Sequence, residues 1–101
     1  MNPLAPAAPV APEARAAVAR TLRERLGRPD LPVEVEPGTD HDGDPVVYVI
    51  VRHGAGDAGP DAEASLSAGL AAQDALSGLG EHRPTRVRHR FAEHAAPGAA
   101  G

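Results

Sequence analysis

Pro45-Val46-Val47-Tyr48-Val49-Ile50-Val51-Arg52-His53 is the one run of consecutive large apolar residues in this chain. β-Branched Val and Ile, with one Tyr, suit a pleated strand better than a helix. Successive side chains of a strand point to opposite faces. This strand is therefore apolar on both, with Val46, Tyr48 and Ile50 on one and Val47, Val49 and Val51 on the other. Each face needs a cover, and the rest of the chain offers an evident cover for only one. Which set is the covered one is not written in the pattern.

Working outward, Leu31-Pro32-Val33-Glu34-Val35-Glu36 alternates strictly and predicts a half-buried strand. Pro32 suits a strand start or a sheet edge. Residues 37–44 predict the intervening turn, with Asp42-Gly43 as a hairpin signal because Gly accepts φ > 0. After the central strand, residues 54–60 read as a Gly-rich loop. Further on, Thr85-Arg86-Val87-Arg88-His89-Arg90-Phe91 predicts a third strand. Thr85, Val87, His89 and Phe91 share its inner face, and Arg86, Arg88 and Arg90 the other.

Two helices complete the pattern. Over 13–26, Val18, Leu22 and Leu26 recur at i, i+4 and i+8, with Ala14 and Ala19 beside them. Pro12 suits the entry, Gly27 the exit, and Pro29 forbids continuation. Over 61–79, Asp61 is the expected cap. Leu66, Leu70, Leu76 and Leu79, with Gly69 and Ala72, form the expected inner arc, and Ala71, Asp74 and Ala75 the opposite side. The fold class that follows is α+β: a small α-β-β-α-β domain with a three-stranded sheet and two helices on one face. The domain is expected over 13–92, between a disordered Pro/Ala-rich arm over 1–12 and a disordered tail over 93–101.

The chain has 101 residues and 2% aromatic content, so its core is Val, Leu and Ala, and its stability is marginal. A partner or a second copy would strengthen such a core. There is no cysteine, which excludes disulfides, thiolate metal sites and a thiol nucleophile. The N-terminus lacks a basic start, and Pro3, Pro6, Pro9 and Pro12 interrupt it, so no secretory signal is read and a cytoplasmic location is expected. No run is long enough to span a membrane. All basic residues are Arg, as a GC-rich bacterial genome would give. The net charge of −4 hides blocks: +3 over 13–28, −10 over 30–81 and +3 over 82–94.

Motifs that would carry chemistry break down on inspection. Asp40, Asp42 and Asp44 mimic the start of a calcium loop, but Pro45 and Val51 stand where Gly and Glu are needed. Gly56-Asp57-Ala58-Gly59 matches a GxxG loop but follows a strand and carries an acid. The PxxP patterns of the arm lack a basic anchor except Arg15. Five histidines show no metal-binding spacing, no nucleophile elbow is present, and no carboxylate pair stands out. His53 and His89 are the two that could meet in space.

The expectation is thus a non-enzymatic module with no cofactor and no metal. If the Val-rich strand is central, the open sheet face carries an acidic stripe (Glu34, Glu36), an apolar stripe such as Tyr48 and Ile50, and a basic stripe (Arg86, Arg88, Arg90). Such a face is expected to bind protein, as a homodimer about a two-fold axis or with a different partner. The alternative is nucleic-acid binding through the arginines of the last strand.

The stretch Asp40-His41-Asp42-Gly43-Asp44-Pro45, the Val-rich strand, a helix ending near Gly80-Glu81, then Arg83 and a strand ending in Phe91 resembles small uncharacterised bacterial α-β-β-α-β proteins found beside toxin-like, HEPN-type genes. The similarity covers about Leu31 to Phe91. It departs from them at Arg83, where they carry an aromatic before the proline. The resemblance implies an antitoxin-like partner protein and transfers no catalytic residue.

Overall fold

The computed structural model describes residues 8–56 and 59–92. The expected tail and residues 1–7 of the expected arm lie outside them, as do two residues of the GxxG loop. The element order is α1 (Pro12–Leu26), β1 (Val33–Thr39), β2 (Pro45–His53), α2 (Ala62–Gly78) and β3 (Thr85–Phe91). The chain is a small α+β domain with a three-stranded mixed sheet in the order β1-β2-β3. β1 runs antiparallel to β2, and β3 runs parallel to it after the crossover through α2.

The Val-rich strand is central, and the question of its two faces is resolved. Val47, Val49 and Val51 join the core with Val18, Leu22, Leu31, Val35, Ala72 and Leu76. Val46, Tyr48 and Ile50 point to the other side. Both helices therefore cover the same sheet face, burying Ala14, Ala17, Val18 and Leu22 of α1, and Ala68, Ala72 and Leu76 of α2.

Local chemistry sets the boundaries. Gly27 ends α1 at φ 66, and the N–H of Arg28 reaches back to the carbonyl of Arg23 at 2.9 Å. Asp61 caps α2 by accepting from the N–H of Ala64 at 2.7 Å. β1 runs further than the alternation predicted, through Pro37 and Gly38, so the turn shrinks to Asp40–Asp44. Gly43 takes φ 87 there.

Three expectations need correction. Val10 is 3% exposed and belongs to the core. The guanidinium of Arg83 donates to the carbonyls of Ala8 and Pro9 at 2.8 and 3.5 Å, so packing takes in the arm from residue 8 onward. In α2, Leu66 and Leu70 are 66% and 62% exposed, and Leu79 is half exposed beyond the helix end. The buried side is Ala68, Ala72 and Leu76, with Ala75 packed against the core. At about 100° per residue, Leu66 and Leu70 lie about 120° and 160° round from Ala72, the middle of the buried side. The alanine side also permits the closer approach, and Gly69 stands just clear of Val87. Finally, Phe91 is 46% exposed at the sheet end, where its ring stacks on His53.

Candidate functional site

The face turned away from the helices is ordered by the strand register. Glu34, Ile50 and Arg88 form one row, and Glu36, Tyr48 and Arg86 the next. Arg52 and Arg90 are neighbours in a third. All seven residues expected to bind a partner (Glu34, Glu36, Tyr48, Ile50, Arg86, Arg88, Arg90) thus share one face, in acid–apolar–base order. The hairpin turn fixes the first pairing and the α2 crossover the second.

Tyr48 does not stand upright. Its ring leans over Gly38, where an added Cβ would sit 2.6 Å from the ring. Its hydroxyl donates to the carbonyl of Thr39 at 2.8 Å. The guanidinium of Arg88 lies over the ring, 5.4 Å from its centre, a cation–π arrangement. Tyr48 and Ile50 are half-buried, while Val46, opposite Gly38, is fully buried. Between the stripes lies a shallow hollow of about 280 Å³ lined by Glu36, Tyr48, Ile50, Arg88 and Arg90.

Arg52 is the face residue that the sequence reading passed over. Its Nε and NH2 groups donate to the two carboxylate oxygens of Glu34, each at 3.1 Å. The hydrogen bonds from Arg52 hold the Glu34 carboxyl below its ordinary range, and those to Glu34 raise the Arg52 guanidinium. The pair is solvent-exposed and adds little stability. It does take Glu34 out of the acidic stripe. Four arginines then stand against two glutamates on the face, within a chain of net charge −4. The signal was available: Arg52 shares the parity of Tyr48 and Ile50.

Elsewhere, Asp40, Asp42 and Asp44 can bring one carboxylate oxygen each within 4.8 Å of the others. One oxygen of Asp40 already accepts the N–H groups of Asp42 and Asp44, at 2.9 and 3.0 Å. The N–H of Asp44 first, and then that of Asp42, hold the Asp40 carboxyl below its usual range. The acids of this turn are thereby accounted for as turn chemistry.

His53 and His89 do meet, with Nε2 and Nδ1 3.0 Å apart on the helix-covered side of the sheet. His53 is 5% exposed, between the His89 ring and that of Phe91. Burial first, and the neighbouring His53 second, push the His89 imidazole below its ordinary value.

No helix among the described residues is long and apolar enough to cross a membrane. No protein-family model, curated protein or solved structure matches this chain.

Proposed function

We propose that this chain is a small non-enzymatic protein-binding module, and that the open sheet face is the surface it uses, for a second copy or for a different protein. The observation that carries this reading is the uncovered apolar stripe. Tyr48 and Ile50 stand half-buried on a face that no element of the described chain covers, inside a charged rim. Apolar surface so framed is the anatomy of an interface, with aromatic and arginine anchors at its centre. A face of this kind would serve the antitoxin-like role that the resemblance implies.

A second reading has one observation in its favour. Four arginines against two glutamates make the face locally cationic, and a strand carrying alternate arginines can follow a phosphate backbone. Against it stand the net charge of −4 and the single aromatic on the face.

Light scattering after size exclusion tests the first reading, with concentration taken from refractive index. The wild type is expected above monomer mass and Ile50→Glu at monomer mass. Titration with a labelled single-stranded oligonucleotide tests the second. Tight, steeply salt-dependent binding by a protein that stays monomeric would transfer the face to nucleic acid.

A further inference from the structure

Helix α2 leaves a second apolar feature on the surface. Glu63, Leu66, Leu70 and Asp74 follow one another at steps of three, four and four residues. At about 100° per residue these steps bring all four onto one narrow stripe. The stripe faces away from the core, because Ala68, Ala72 and Leu76 occupy the buried side of the helix. Leu66 and Leu70 are the most exposed large apolar side chains among the described residues. α2 contains no Lys or Arg, so the stripe reads acid, leucine, leucine, acid. Arg25 of α1 borders it, 3.5 Å from the hydroxyl of Ser67.

The open sheet face is its counterpart: an apolar stripe beside a basic one. The spacings agree. Along a helix, Leu66 and Leu70 lie about 6 Å apart, and Glu63 and Asp74 about 16 Å. Along extended strands, Tyr48 and Ile50 lie about 7 Å apart, and Arg86 and Arg90 about 13 Å.

We propose that the open sheet face of one copy receives the outer stripe of α2 from a second copy. This rests on the reading of the face as protein-binding, and it names the partner as the chain itself. Leu66 and Leu70 seat against Ile50 and Tyr48, while Glu63 and Asp74 meet the arginines of β3. Each copy contributes two different patches, so the contact is head-to-tail and generates a ring or a filament. A two-fold, face-to-face dimer would instead oppose two surfaces that each carry four arginines against two glutamates.

The test uses three full-length variants. Arg88→Glu damages the face, with Ile50→Glu as a second face variant, and Leu70→Arg damages the stripe. Arg88 and Leu70 are both exposed, and circular dichroism checks that the fold survives. By light scattering at low salt, the wild type is expected to exceed monomer mass and each variant alone to be monomeric. An equimolar mixture of Arg88→Glu and Leu70→Arg is expected to give a dimer and nothing larger, because one intact stripe meets one intact face. If Leu70→Arg assembles like the wild type while the face variants do not, the face binds protein but not α2, and this inference falls alone. If the face variants also assemble like the wild type, both readings fall. A monomeric wild type at high concentration overturns self-assembly and leaves the face to a different protein.

Discussion

His89 sits where a positive charge is unwelcome. It is half-buried beside His53, and Arg28 lines the adjacent hollow at His53. The unfolded chain takes up a proton on this residue near pH 6.5, the folded chain only at lower pH. Its contribution to stability is therefore complete above about pH 6.5 and is lost as pH falls from there towards the folded value. The lowered carboxylates Glu34, Asp40 and Glu81 act further down, in the carboxylate range. Urea midpoints should thus decline as pH falls below about 6.5, and His89→Gln should flatten that decline. Equal slopes in both proteins would remove His89 from the account. Tyr48 offers a second test at this scale. Gly38→Ala places a methyl group against its ring, which must lift and give up its bond to Thr39. A loss of about 1 kcal/mol is expected for that bond. The emission of the single Tyr, with no Trp to mask it, reports the movement.

The two helices show what a pattern can and cannot specify. In α1 the apolar stripe, the Gly exit and the following Pro agree, and the structure follows them. In α2 the leucines are spread over a wide arc, wider than a helix lying on one neighbour and one sheet can bury. Packing decided the matter by closeness of approach, a property of the small residues that hydrophobicity ranks below leucine. Leu22→Ala should cost about 2–5 kcal/mol and Leu66→Ala within about 0.5 kcal/mol, read from urea unfolding. Similar costs would mean that α2 is rotated from its described position. The strands were legible because alternation has a period of two. Arg83 was not, since nothing local foretells that a side chain paired with Glu81 also holds the carbonyls of Ala8 and Pro9. Arg83→Ala should lower stability by about 1 kcal/mol and hasten amide exchange at the start of α1.

For the molecule as a whole, sheet order was the missing quantity. Acidic, apolar and basic stripes could be read along the chain, but their arrangement depended on whether the Val-rich strand was central. Strand pairing is a long-range matter that sequence periodicity does not reach. Once β2 is central, the seven site residues fall on one surface. The same order has a consequence in time. β1 pairs with β2 through a short turn and can do so as soon as both leave the ribosome. The opposite edge of β2 must wait for α2 and β3 to be synthesised, because Val47 finds its partner only at Thr85. During that interval the most apolar strand of the protein exposes a row of unpaired amides and carbonyls. Nascent chains cut short before Thr85 should therefore be the aggregation-prone species, and slow codons after Gly59 should lower the soluble yield of the gene.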